Sequence, residues 1–389
     1  MNSSFIYDIP TKVYFGENRL GNLGSELKKI GQRVLLVYGG GSIKTIGLYD
    51  RVVDIVKESG LNLFECSGIE PNPRITSVDR GANTCKREKI DVILAVGGGS
   101  VIDAAKCIGA AAYYDGEPWD LVTGKAEIKK CLPIVTVLTL SATGSEMNAN
   151  AVITNWDTNE KRGMKEELFV PKVSFLDPTS TYSVNEYQTA CGSADILSHI
   201  MEVYFSGEND LYMLDTVMEG LMKTVIKYAP VAMENPGDYD ARANLMWASS
   251  WAINGFVRGA KETSWSCHPM EHQLSAFYDI THGLGLAILT PRWMEYILDE
   301  TTVSKFYQFG CNVFDIDKDK NPMDVAKESI ERLSEFFFNT LKLQSTFKEI
   351  GIDSSKFEIM AKSACGGGTI DGFKPLNQGD ITKIFEMCL

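Results

Sequence analysis

The sequence has only four histidines in 389 residues, and it has no paired CxxC, no HExxH, no basic tract and no unbroken apolar run of membrane-spanning length. Each absence narrows the choice of function. Nine cysteines, scattered from Cys66 to Cys388 without CxxC spacing, are an odd number. They point to reduced thiols rather than a disulfide framework. Nucleic-acid phosphates are contacted by clustered Lys and Arg, so a net charge of −13 with no basic cluster excludes a nucleic-acid partner. The acidic excess is spread out and reads as a solubility property. The most apolar stretch, Val92 to Tyr114, is broken by glycines, Asp103 and Lys106, so no membrane span is expected. The start, Met1 to Asp8, lacks the basic and apolar regions of a signal peptide. The expectation is a cytoplasmic protein without a membrane partner.

What is present is concentrated. Three of the four histidines, His268, His272 and His282, fall between Trp265 and Gly283. The fourth, His199, follows Asp195 by four residues, which on a helix puts both side chains on one face. Neutral imidazole is the commonest protein ligand for zinc and divalent iron, and one carboxylate completes a usual ligand set. Asp195, His199, His268 and His282 therefore read as one metal site assembled from two distant parts of the chain. Cys267 adjoins a proposed ligand and reads as packing. Glu202 shares the helical face of Asp195 and His199, where it can support a ligand from behind.

The chain is long enough for two domains. Up to about residue 185, short β-branched runs alternate with helical patterns. Val34–Tyr38 leads into Gly39-Gly-Gly-Ser42, Val92–Val96 into Gly97-Gly-Gly-Ser100, and Ile134–Leu138 into the Ser/Thr/Gly-rich 139–145. Strand, tight turn and helix in repetition predict a Rossmann-like α/β domain, a parallel sheet covered on both faces. From 186 onward helical periodicity dominates, over 193–206, 210–233, 240–258, 270–280, 284–299, 322–341 and 376–387, and predicts an all-α domain. The expected domains are 1–185 and 186–389, packed closely around a cleft. Free N–H groups at a helix start attract phosphate, and glycine lets it approach the main chain. Gly40, Gly41 and Ser42 in the first turn, and Gly98, Gly99 and Ser100 in the second, are thus candidate cofactor contacts. Neither turn is GxGxxG, and such turns also simply join strands to helices. Asp103 reads as a cap of the helix after Ser100, Pro71-Asn72-Pro73 as an extended turn, and Lys161 on its own as a surface lysine.

In this order, Gly97-Gly-Gly-Ser-Val-Ile-Asp-Ala-Ala-Lys106, Thr139-Leu-Ser-Ala-Thr-Gly-Ser-Glu146, Asp195-x3-His199 and His268-x3-His272-x9-His282-Gly283 resemble the iron-containing (group III) alcohol dehydrogenases along essentially the full length. The His268–Ile288 segment looks most like the branch of butanol dehydrogenases and NADPH-dependent aldehyde reductases. The resemblance implies a nucleotide-binding α/β domain, an all-helical metal domain and a homodimer. It implies one divalent metal, iron or zinc, on Asp195, His199, His268 and His282, with His272 close by but unligated. It places the dinucleotide phosphates on Gly98, Gly99 and Ser100, and matches Asn72, Thr139, Ser141, Thr143 and Lys161 to positions that touch the dinucleotide in relatives. Asn185 stands where many relatives carry proline. NAD-preferring relatives often have an aspartate in the first turn; here Gly39–Lys44 has none, and Ser42 and Lys44 offer donors to a 2′-phosphate. The expectation is NADP(H), with NAD(H) possible.

The expected reaction is reversible reduction of an aldehyde to a primary alcohol such as butanol, with His272 as candidate proton relay. Two alternatives stand beside it. A metal- and nucleotide-dependent lyase of the dehydroquinate-synthase kind requires cationic residues around a phosphorylated acid, whereas the metal segments here are rich in Trp, Phe, Met and Leu. A non-catalytic metal- or nucleotide-binding protein is the other.

Overall fold

The structure, a computed structural model, describes residues 4–206, 212–259 and 265–389. The chain divides into two compact units, one formed by 8–184 with 236–250, the other by 185–235 with 251–389 and the N-terminal residues up to Tyr7.

In the first unit six strands form one sheet: β1 (Lys12–Phe15), β2 (Arg33–Tyr38), β3 (Asn62–Cys66), β4 (Val92–Gly97), β5 (Ile134–Leu138) and, after a separate hairpin of β6 (Asn150–Asn155) and β7 (Glu160–Lys165), β8 (Val173–Leu176). The order is β1-β8-β5-β4-β2-β3, and every neighbouring pair is parallel. The helices are α1 (Leu23–Ile30), α2 (Ser42–Thr45), α3 (Leu48–Glu58), α4 (Ile75–Glu88), α5 (Gly99–Ala111) and α6 (Pro118–Val122). Side chains alternate across a strand. Val34, Leu36, Val92, Leu94 and Val96 accordingly pack on one face with Leu23, Leu27, Val52 and Val56 of α1 and α3. Leu35, Val37, Ile93 and Ala95 pack on the other with Val78, Ala82, Ile102 and Ile108 of α4 and α5. Burial on both faces is why these strands read as unbroken apolar runs.

Strand β2 pairs with β4 as well as β3, so the winding direction reverses between β2 and β4, with Tyr38 opposite Val96 at their carboxyl ends. Ligands of open α/β sheets sit outside the carboxyl ends of strands at such a reversal. Both triple-glycine turns begin there.

The hairpin β6–β7 is antiparallel and was foreshadowed only by the strand-like Ala151–Thr154. Its anchor is Lys106, fully buried in α5, whose Nζ has the Ser145 hydroxyl, both oxygens of Asn148 and the Asn150 carbonyl within 2.6–3.1 Å. Asp103, one turn earlier, accepts from Ser145 Oγ at 2.6 Å and from the Val152 N–H at 2.9 Å. The expectation that Asp103 caps α5 is therefore corrected: Gly98 is the cap residue, and Asp103 fastens the segment 145–152 to the helix. Burial pulls the Lys106 ammonium down to about 8, against the attraction of Asp103 and Glu146.

The second unit is largely helical: α7 (Glu186–Tyr204), α8 (Tyr212–Glu234), α10 (Cys267–Tyr278), α11 (His282–Ile297), α12 (Val303–Val313), α13 (Pro322–Glu335), α14 (Phe357–Ala364) and α15 (Gln378–Met387). The helix α9 (Tyr239–Ile253) has its residues up to Ser250 in the first unit. The helical domain expected from the sequence is present, with two helices, α12 and α14, that were not anticipated and a short hairpin of Thr369–Ile370 with Leu376–Asn377. Helix α7 begins seven residues before the expected 193, because Asn185 Oδ1 accepts from the Gln188 N–H at 2.8 Å and caps it without proline. Residues 210 and 211 of the expected 210–233 helix lie outside the described residues.

Lys106→Ala leaves Asp103, Ser145 and Asn148 buried without their cation. The expected cost is about 3–5 kcal/mol, read as an earlier urea midpoint in circular dichroism; an unmoved midpoint contradicts this account of the hairpin's anchor.

Candidate metal centre and nucleotide-binding turns

The metal-site residues come from three helices of the second unit. Asp195 and His199 lie four apart on α7, His268 lies in the first turn of α10, and His282 opens α11. Their ligand atoms converge. The Nε2 atoms of His199, His268 and His282 stand 3.6, 4.0 and 3.6 Å from one oxygen, Asp195 Oδ1. These separations are too long for hydrogen bonds. They fit neighbouring ligands of a tetrahedral cation, whose edges are about 3.4 Å for bonds of roughly 2.1 Å. Asp195 Oδ1 and His268 Nε2 are buried and have no hydrogen-bond partner. Buried polar atoms are nearly always satisfied, and a cation among Asp195, His268 and His282, whose ligand atoms lie within 4.8 Å of one another, satisfies them, while His199 Nε2 adjoins the same carboxylate oxygen. The residues fit one divalent metal.

Burial keeps His199 neutral, the form that binds metal. Burial, joined by His268 and His282 and opposed by Asp195, pulls His199 down to about 3. Trp265 packs against the cluster, its ring centroid 4.4 Å from that of His268 and 5.6 Å from that of His199. Cys267 is buried and burial drives its thiol far up, so it is an inert packing group, as expected. His272 lies beside the ligands, its ring 5.7 Å from His282 and 6.4 Å from His268.

Two carboxylates stand behind the ligands. Glu202, anticipated in the sequence, accepts from the Ser266 N–H at 2.8 Å and the His268 N–H at 2.9 Å, and its Oε1 lies 3.1 Å from His268 Nδ1. Glu271 was not anticipated. It is fully buried, receives the Ser275 hydroxyl and meets Nδ1 of His282. A signal existed: residues 268, 271, 272 and 275 share one face of α10.

Glycines set how closely the helices approach. A Cβ on Gly283 would lie 2.0 Å from the Cys191 carbonyl oxygen, so α11 touches the backbone of α7 directly beside His282. A Cβ on Gly285 would lie 2.8 Å from Glu271 Cγ. Asp279, with φ 52, closes α10 in the left-handed region and turns the chain toward His282.

In the first unit the expected cofactor residues cluster at the carboxyl end of the sheet. Gly98 caps α5 and Gly99 opens it, and a Cβ on Gly99 would lie 2.2 Å from Thr143 Oγ1. The turn at 97–100 is thus pressed against the loop carrying Thr139, Ser141 and Thr143, and the Thr139 N–H reaches the Gly97 carbonyl at 3.1 Å. Ser100, Thr139, Ser141 and Thr143 are half-buried. Gly40 and Gly41 face open space, with φ 118 at Gly41, and Ser42 starts the single turn α2. Lys44 Nζ lies 5.1 and 4.6 Å from the rings of Tyr38 and Tyr49, whose hydroxyls both donate to Glu65 at 2.8 Å. Two readings are corrected. Lys161 is buried in β7, not a surface lysine, because the hairpin folds down on α4 and α5. Asn72 is buried with φ 51, so Pro71–Pro73 bends through the left-handed region rather than running extended.

Comparison with known proteins bears on both units. Residues 10–178 match the family "Iron-containing alcohol dehydrogenase", and residues 189–389 match "Fe-containing alcohol dehydrogenase family, C-terminal". The NADH-dependent butanol dehydrogenase A of Clostridium acetobutylicum is 53% identical over 98% of this chain and 99% of its own. The NADPH-dependent aldehyde reductase of Escherichia coli is 35% identical over 92% of each chain. The crystal structure of NADH-dependent butanol dehydrogenase A from Thermotoga maritima superposes with a TM-score of 0.94 at 37% identity, covering 99% of this chain and 98% of that one.

Gly283→Ala forces α11 away from α7 and carries His282 with it. Overpacking of this kind costs about 1–3 kcal/mol, and the bound metal, measured by elemental analysis, should fall well below that of the parent. Full metal content in a protein of unchanged melting temperature contradicts the argument.

Proposed function

The chain belongs to the iron-containing alcohol dehydrogenase family, and on that premise we propose that it interconverts short primary alcohols, butanol among them, and their aldehydes. The observation that carries the reading is the convergence of three imidazole Nε2 atoms on one buried carboxylate oxygen. In the proposed division of labour, residues 1–185 bind the dinucleotide and residues 186–389 hold the metal. When bound, the cation supplies Lewis acidity toward the substrate carbonyl and the dinucleotide supplies the hydride.

The chain's own residues do the rest. Asp195, His199, His268 and His282 hold the cation, iron or zinc, and donor type alone does not choose between them. Trp265 walls the cluster with an apolar ring, which keeps water away and suits an alkyl substrate. His272 delivers the proton that turns the nascent alkoxide into the alcohol, so one hydride and one proton are added to each aldehyde. Backbone N–H groups at Gly98, Gly99 and Ser100 receive the diphosphate, with Thr139, Ser141, Thr143, Asn72 and Lys161 around it. In the first turn Gly40 and Gly41 admit the adenosine end, where Ser42 and Lys44 accept a 2′-phosphate. NADP(H) is thereby accommodated, because Gly39–Lys44 carries no carboxylate to repel the 2′-phosphate, and NAD(H), which lacks that phosphate, enters the same turn. Working as a cytoplasmic homodimer is part of the same proposal. The homodimer rests on the family resemblance, and the nine free cysteines fit a reducing compartment.

The test is oxidation of NADH and of NADPH by butanal, followed by nicotinamide absorbance. His199→Ala should lose both metal and turnover; full activity without metal refutes the scheme. His272→Ala should keep its metal and slow by about 10²-fold, with the pH dependence of the rate altered; unchanged kinetics across pH remove its relay role. Lys44→Ala should lower kcat/KM for NADPH about tenfold, the worth of one charge-assisted hydrogen bond, and leave NADH nearly untouched. An equal loss for both cofactors contradicts the 2′-phosphate assignment.

A further inference from the structure

Two of the three imidazoles are held from behind by buried carboxylates, and the third is not. His268 presents Nδ1 to Glu202 and Nε2 to Asp195. His282 presents Nδ1 to Glu271 and Nε2 to Asp195. His199 has a buried Nδ1 with no hydrogen-bond partner. Both glutamates are placed by more than the histidine they face. Glu202 reaches from α7 and ties down the start of α10 through two backbone N–H groups. Glu271 is gripped by the Ser275 hydroxyl, and the missing side chain at Gly285 leaves the volume its carboxylate fills.

From this geometry we infer that Glu271 and Glu202 are positioning residues that fix the metal-binding tautomer of His282 and His268 and set how tightly the cation is retained. The inference rests on the metal reading above. A neutral imidazole carries one proton, and a carboxylate facing Nδ1 keeps it there, leaving the Nε2 lone pair free for the metal. The carboxylate also makes the imidazole a stronger donor. Together with Asp195 the two glutamates bring three buried carboxyl groups around a site for a divalent ion.

The same residues allow a competing arrangement, since Glu271, His272 and His282 also bring ligand atoms within 4.8 Å of one another. A second cation there would displace the proton from His282 Nδ1. A protonated His282 Nδ1 and a single bound zinc distinguish the proposed arrangement from that one.

The experiment uses the full chain loaded with zinc, its histidines labelled with nitrogen-15. With only four histidines the spectrum is simple. His268 and His282 should show metal-bound Nε2 and a protonated, strongly deshielded Nδ1. In parallel, zinc retention is measured by competition with a chelator. Glu271→Gln and Glu202→Gln keep side-chain shape while removing the charge, and each should weaken retention by about 10- to 100-fold and shift the signal of its own histidine alone. Retention equal to the parent's in both variants, while His199→Ala loses zinc, overturns the inference and leaves the metal site standing. An unprotonated His282 Nδ1, or a second tightly held zinc, overturns it in the unsubstituted protein, independently of whether either variant folds. Equal zinc binding by the parent and His199→Ala instead refutes the metal reading itself.

Discussion

Three imidazole nitrogens and a carboxylate oxygen facing one another inside a protein are a destabilising arrangement by themselves. The lone pairs repel, and Asp195 Oδ1 and His268 Nε2 are buried without a hydrogen-bond partner. A cation at their centre converts four costs into four bonds. The rest of the helical unit follows from building that cage. Helix α7 carries two ligands one turn apart, α10 and α11 carry one each at their starts, and Gly283 lets α11 close onto α7. Glu202 both caps the approach to α10 and addresses His268, so the same carboxylate sets the backbone and the ligand.

The first unit answers a different constraint. Its strand order reverses between β2 and β4, which brings two triple-glycine turns side by side at the carboxyl edge of a buried parallel sheet. The absence of GxGxxG does not matter to the physics. Gly99 is required by the closeness of Thr143, and the open space over Gly40 and Gly41 comes from having no side chain there. Lys106 and Asp103, buried together and bridged by the Ser145 hydroxyl, tie α5 to the loop that faces those turns, so a buried hydrogen-bond network fixes that loop.

Much of this was legible in the sequence because it is local. The four proposed ligands stood out through the scarcity of histidine and the Asp195–His199 spacing, and the sheet through runs such as Val34–Tyr38. What was missed depends on contacts between distant segments. Glu271 sits in plain view between His268 and His272, but its partner lies eleven residues on, across a helix end. Lys161 gave no sign of burial because the strand that carries it, Glu160–Lys165, is rich in charged residues. Helix α12 contains Gly310, which weakens a helical pattern; in the fold a Cβ there would lie 2.7 Å from Val325, and close packing on α13 outweighs the propensity loss. Asp103 was read as a local cap because capping is the short-range use of aspartate, whereas its hydrogen bonds run to Ser145 and Val152.

The central claim is that one cation is bound by the three Nε2 atoms and Asp195. X-ray absorption at the zinc edge of protein loaded with a single equivalent tests it directly. The account predicts a first shell of nitrogen and oxygen only, at about 2.0–2.2 Å, with the outer-shell scattering of three imidazole rings. A sulfur shell near about 2.3 Å, or a shell without imidazole scattering, contradicts it.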